Sequence, residues 1–141
     1  MGFWQTYYHV VWGTKKREHI IMDNRIELIR SSLTATALEY EAIVHAIGMM
    51  PDHVHVAISI PPKIAVSELI GRMKGASSRR VNMVTGDHLE GFGWQPEFGV
   101  FTFSKRGLDE VVAYVDNQRE IHAKRLMKPV YERAETPLEH S

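Results

Sequence analysis

The order β-α-β-β-α-β, with one more helix behind it, predicts an α+β fold of the ferredoxin-like (RRM-like) kind. Three observations carry that prediction. Residues 51–62 alternate apolar and polar side chains between flanking prolines, as a buried strand does. Residues 3–12 are a run of aromatic and β-branched residues ended by Gly13. Two stretches, about 24–40 and 67–82, carry apolar residues at helical spacing. In this arrangement an antiparallel sheet has two helices on one face, and strands one and three are its central neighbours.

In the first strand Trp4, Thr6, Tyr8, Val10 and Trp12 share one face, and Gln5, Tyr7 and His9 the other. A basic turn follows, Thr14-Lys15-Lys16-Arg17. Asp23 is placed to cap the first helix, whose stripe is Ile26, Ile29, Leu33, Ala37 and Tyr40. Residues 42–49, with Ile43, Val44, Ile47 and Met49, read as the second strand, hairpinned through Met50-Pro51-Asp52 to the third. His45 on the second strand reads as a structural or surface residue.

The third strand is the centre of the chain. Val54, Val56, Ile58 and Ile60 point to one face, and His53, His55, Ala57 and Ser59 to the other. Two imidazoles therefore share a face about 7 Å apart at the Cα atoms, close enough to converge on one divalent cation. Ser67 is placed to cap the second helix, with Leu69, Ile70, Met73 and Val81 inward and Arg72, Lys74, Arg79 and Arg80 outward. A loop from Thr85 to Gly93 leads to a fourth strand within Trp94–Phe103. Ser104-Lys105-Arg106-Gly107 is a short linker, and a last helix is expected from about Asp109 to Leu126. It is the element available to cover the histidine face. Residues 1–128 read as one domain, and the polar segment 129–141, with two prolines, as a flexible tail.

Composition narrows the chemistry. The chain has 141 residues and no cysteine, which removes disulfides, thiolate zinc sites and thiol nucleophiles. No stretch approaches the ~20 apolar residues of a membrane span, and the first residues lack a signal-peptide layout; a cytoplasmic protein is expected. The 17 Lys and Arg balance the 17 Asp and Glu, so any nucleic acid must be held by local basic patches. Structural zinc takes four ligands, usually with cysteine among them, so the histidine pair fits an open site with room for water and substrate oxygens. On the last helix Tyr114, Gln118 and His122 recur at i, i+4 and i+8, beside the apolar Val111, Val112 and Val115. Alone, such a Tyr and Gln are ordinary seam residues.

Asp52-His53-Val54-His55-Val56 resembles the His-hydrophobic-His motif of the HUH endonucleases. Tyr114-Val115-Asp116-Asn117-Gln118 resembles the tyrosine-helix motif of their single-tyrosine transposases, the small enzymes of bacterial insertion sequences and their relatives associated with repetitive extragenic palindromes (REP). Tyr8-His9-Val10-Val11, the Lys74 to Arg80 segment and Trp94 also sit where that family's pattern places such residues, so the likeness spans about residues 5–125. It implies a DNA transposase, with Tyr114 as nucleophile and His53, His55 and Gln118 holding Mg²⁺ or Mn²⁺. It further implies single-stranded DNA with a hairpin as substrate, a 5′-phosphotyrosine link as intermediate, and a homodimer that can exchange tyrosine helices. Lys15, Lys16, Arg17, Arg72, Lys74, Arg79, Arg80, Lys105 and Arg106 are the candidate phosphate contacts, each individually an ordinary solvated charge.

Other readings explain fewer residues. A domesticated or inactive relative that binds hairpin DNA without transposing is disfavoured, because His53, His55, Tyr114 and Gln118 are all present. A ferredoxin-like RNA-binding module would stack bases on Phe3, Tyr7 and Tyr8 but leaves the histidine pair idle. A two-histidine phosphodiesterase needs a second His-x-Ser/Thr motif, and none is present.

Overall fold

The structure, a computed structural model, describes residues 2–86, 91–124 and 127–134. Its strands are β1 (Tyr7–Gly13), β2 (Ile43–Met50), β3 (His53–Ser59) and β4 (Gly99–Phe103). Its α-helices are α1 (Asp23–Glu39), α2 (Val66–Thr85), α3 (Leu108–Asp116) and α4 (Gln118–Ala123). The strands form one antiparallel sheet in the order β2-β3-β1-β4, so β1 and β3 are the central pair, as the element order predicts.

The alternation along β1 and β3 decides which side of the sheet does what. Val10, Trp12, Val54, Val56 and Ile58 face α1 and α2 and join Ile29, Leu33, Leu69, Ile70 and Met73 in the main core. The opposite face carries His9, His55 and Ala57. There α3 lies over β2 and β3 through a second, smaller cluster of Ala46, Ala57, Val111 and Val115. Gly48 allows this approach: a Cβ at that position would overlap the carbonyl oxygen of Val115. Gly48→Ala is therefore expected to destabilise the fold by about 2 kcal/mol or more through overpacking, read as a lower denaturation midpoint in urea. An unchanged midpoint would mean that α3 is not seated on β2 in this way.

Several boundaries differ from expectation, each for a local reason. β1 begins at Tyr7 rather than Phe3, because its partner β3 ends at Ser59, which pairs with Tyr7; Phe3 is exposed. Asp23 and Ser67 do not cap their helices. Met22 and Ala65 occupy the N-cap positions without a side-chain bond, and Asp23 and Glu68 instead place negative charge in the first turns. β4 is shorter than Trp94–Phe103 because Pro96 has no N–H and the carbonyls of Gln95 and Glu97 accept from the Lys74 ammonium. The last helix breaks at Asn117 into α3 and α4, where the Gln118 side-chain amide donates to the carbonyl of Tyr114. Leu126, its expected end, lies outside the described residues. The start of the segment expected to fray does not behave as a loose tail: Pro129–Glu132 is a 3-10 turn folded back against the sheet. Gly99 leaves room for it, since a Cβ there would overlap the carbonyl oxygen of Arg133. Residues 135–141 lie outside the described residues.

Candidate active site

The central strands place three imidazoles side by side. His9 on β1 and His53 and His55 on β3 are all buried. His9 Nε2 lies 2.8 Å from His55 Nδ1, and Asp52 Oδ1 lies 2.7 Å from His53 Nδ1. Each β3 histidine therefore has its far nitrogen held, which fixes the ring and turns Nε2 toward the space under α3 and α4. Asp52 is itself braced by Arg17, whose guanidinium reaches Oδ2 at 3.2 Å. Burial alone would raise the Asp52 carboxyl, but the His53 and Arg17 contacts hold it below its ordinary value.

Helices α3 and α4 bring Tyr114, Gln118 and His122 over these rings. Tyr114 is 6% exposed and Gln118 1%. The Tyr114 ring packs edge-on to His55 and His9, with centroids 5.8 and 6.0 Å apart. His122 packs against His53 at 4.9 Å. Gln118 Oε1 lies 3.1 Å from His122 Nε2.

The C-terminal turn closes the cluster with Glu132. Its Oε2 accepts from the Tyr114 hydroxyl at 2.5 Å. Its Oε1 lies 3.0 Å from His55 Nε2, 3.3 Å from His53 Nε2 and 3.4 Å from His122 Nε2. The Lys128 N–H donates to the Tyr114 oxygen at 2.9 Å. These contacts set the charge states. Burial, with the neighbouring His55 adding to it, pulls His9 down to about 3. Burial also lowers His55 and His122, against the pull of Glu132. Burial and then the Glu132 contact raise the Tyr114 phenol well above its ordinary value. Burial would raise Glu132, but the imidazoles and the phenol hold it far below the carboxylate range. At neutral pH His9, His55 and His122 are thus neutral imidazoles, Glu132 is a carboxylate, and the Tyr114 phenol against it is protonated.

Of the residues singled out from sequence, Tyr114 packs on His55, while Gln118 reaches His53 only by way of His122. His45 does not join them: its Nε2 pairs with Ser59 Oγ at 2.7 Å. Lys15, Lys16 and Arg17 form an exposed turn beside the site, with Lys16 and Arg17 both at positive φ. Lys105 and Arg106 are exposed in the turn before α3. Arg72, Arg79 and Arg80 are exposed on α2, on the other side of the sheet from the histidines. The Lys74 ammonium is engaged by two backbone carbonyls, and burial lowers it to about 8.

Comparison with known proteins bears on the same residues. Residues 2–118 match the family described as "Transposase IS200 like". The chain belongs to the IS200-like transposase family. It is 26% identical over 121 residues to the ISDra2 transposase TnpA of Deinococcus radiodurans, covering 83% of this chain and 86% of that one. It is 29% identical over 84 residues to the IS200 element transposase of Salmonella typhimurium, covering 60% of this chain; there it spans about half the relative's length, 55%. Among solved structures, a transposase from D. radiodurans R1 superposes with a TM-score of 0.66 at 27% identity, over 84% of this chain and 95% of that one. A REP-associated tyrosine transposase bound to a REP hairpin superposes at 0.64 over 99% and 96%; at 13% identity that likeness concerns the fold. This transposase is thus an α+β enzyme acting on DNA. No helix among its described residues is long and apolar enough to cross a membrane.

Sequence reasoning missed Glu132 and the roles of His9 and Tyr131. His122 was visible, one turn beyond Gln118, but had no assigned partner. Glu132 had no local signal, because only the folded-back turn brings it in. Tyr131 travels with it, packing 4.8 Å from the His9 ring and 5.2 Å from the Tyr114 ring.

Proposed function

We propose that this transposase cuts and rejoins single-stranded DNA through a covalent link to Tyr114, at element ends marked by hairpins. The observation that carries the reading is the position of the Tyr114 hydroxyl, one carboxylate away from both β3 histidines. The donor set fits a divalent cation. Asp52 Oδ1, 2.7 Å from His53 Nδ1, engages that nitrogen and leaves Nε2, 3.3 Å from Glu132 Oε1, as the one turned inward to ligate. His53, His55 and Gln118 would hold Mg²⁺ or Mn²⁺, which when bound supplies Lewis-acid polarisation of a phosphoryl oxygen.

The chain's own residues account for the remaining steps. Tyr114 must lose its proton to become a nucleophile; Glu132 Oε2 holds and orients its hydroxyl, and a bound cation or water would have to help the proton leave, because burial and the Glu132 contact raise the phenol. The phenolate oxygen attacks phosphorus, the bond to the 3′ oxygen breaks, and that oxygen takes up a proton from water and leaves as a 3′-hydroxyl. The strand's 5′ phosphate is now esterified to Tyr114. Attack by a 3′-hydroxyl of another strand reverses the step and frees the tyrosine, so rejoining consumes no external energy source. Lys15 and Lys16, exposed beside the His53 end of the sheet, would meet backbone phosphates next to the site, Arg17 would contribute once it leaves Asp52, and Lys105 and Arg106, exposed beyond the Tyr7–Ser59 end, would meet phosphates farther along the strand. Arg72, Arg79 and Arg80 lie too far round the sheet to touch the same phosphates and suit a stem running past α2. The solved relative bound to a REP hairpin supports the hairpin as partner. The working unit we infer is a cytoplasmic homodimer. The cis arrangement of Tyr114 and its own histidines is one of two that the Ser104–Gly107 linker permits.

Incubating the full chain with Mn²⁺ and a panel of hairpin-bearing DNA strands tests this. A protein–DNA band that survives denaturing electrophoresis, and is absent when chelator is added, is the expected result. The same panel yielding only free, uncleaved strands would refute it.

A further inference from the structure

Two residues of the cluster have no ligand role in the scheme above: His122 and Glu132. Their geometry is that of ligands. Glu132 Oε1 lies 3.0, 3.3 and 3.4 Å from the Nε2 atoms of His55, His53 and His122. One ligand atom from each of these four residues can be chosen so that all lie within 4.8 Å of one another. For metal–ligand bonds of ~2.1 Å, neighbouring ligand atoms sit roughly 3.0–3.4 Å apart, from octahedral to tetrahedral.

Two further observations point inward. His53 is 3% exposed and its Nε2 makes no hydrogen bond. His53 and His55 have their far nitrogens occupied by Asp52 and His9, an arrangement typical of ligating imidazoles. Gln118 Oε1 facing His122 Nε2 at 3.1 Å is compatible with both binding the same ion.

Resting on the metal reading above, we propose that His122 and Glu132 are ligands beside His53 and His55. The resulting site, with three imidazoles and one carboxylate beside the Gln118 amide oxygen, would take a first-row transition cation in preference to Mg²⁺. Imidazole nitrogen suits such cations, whereas Mg²⁺ prefers oxygen and keeps several of its waters. Even Mn²⁺, the weakest binder of the series, is then expected to outcompete Mg²⁺.

The test is calorimetric titration of the metal-stripped full chain with Mn²⁺ alone and with Mg²⁺ alone. Wild type is expected to bind Mn²⁺ about tenfold or more tighter than Mg²⁺, and His122→Ala and Glu132→Gln each to weaken Mn²⁺ about tenfold or more. Glu132→Gln keeps the side-chain shape, so it decides the matter if His122→Ala loses its far-ultraviolet circular dichroism. Wild-type Mn²⁺ affinity in Glu132→Gln and in folded His122→Ala, with His53→Ala losing binding, overturns this inference and leaves the simpler ligand set standing. Wild-type affinity in His53→Ala as well removes the metal site itself.

Discussion

Tyr114→Phe is expected to lower covalent capture of a single-stranded oligonucleotide by about a thousandfold or more, equivalent to roughly 4 kcal/mol of barrier. The substitution removes one oxygen and keeps the ring that packs against Tyr131, His9 and His55. It deprives Glu132 Oε2 of a donor and the Lys128 N–H of an acceptor. Those losses affect the C-terminal turn, and the melting temperature should move by only a few degrees. Chemistry and fold are therefore separable: adduct on a denaturing gel reports one, thermal melting the other. A Tyr114→Phe protein that still forms the adduct would place the nucleophile elsewhere.

His53→Ala and His55→Ala are each expected to abolish cation-dependent strand cleavage, by about a hundredfold or more. His55→Ala should also cost more stability than His53→Ala. His55 is wholly buried, and its loss leaves His9 Nε2 without the partner it has 2.8 Å away. His45→Ala is the matched control. Its imidazole pairs with Ser59 at the far end of the strand pair, so cleavage should stay at the wild-type rate. Rates are read from strand cleavage with and without chelator. Cleavage by the two alanine variants that matched wild type, or that persisted with chelator present, would take the cation out of the account.

The parts of the site carried by regular elements were legible from sequence. Alternation on β3 put His53 and His55 on one face, and that face is the one α3 covers. The i, i+4 spacing put Gln118 one turn beyond Tyr114; Tyr114 packs on His55, and Gln118 faces His122, which packs on His53. Such periodicity is local, and a strand or helix transmits it directly into direction. The C-terminal turn is the opposite case. Nothing in Pro-Val-Tyr-Glu announces a site residue. Glu132 arrives there because Gly99 leaves space for the Arg133 carbonyl and because Tyr131 packs on His9. Tyr131, which lies in the segment expected to be a tail, becomes a competitor to Tyr114 for the same reason. Helix caps failed similarly, since tertiary packing rather than Asp23 or Ser67 positions the first turns of α1 and α2.

That competition makes one measurement the most direct. The covalent adduct formed by the wild-type chain is digested with protease and nuclease, and the modified peptide is sequenced by mass spectrometry. A 5′-linked nucleotide phosphate on the peptide carrying Tyr114 is the result predicted. The same modification on Tyr131 or Tyr7, with Tyr114 unmodified, would contradict it.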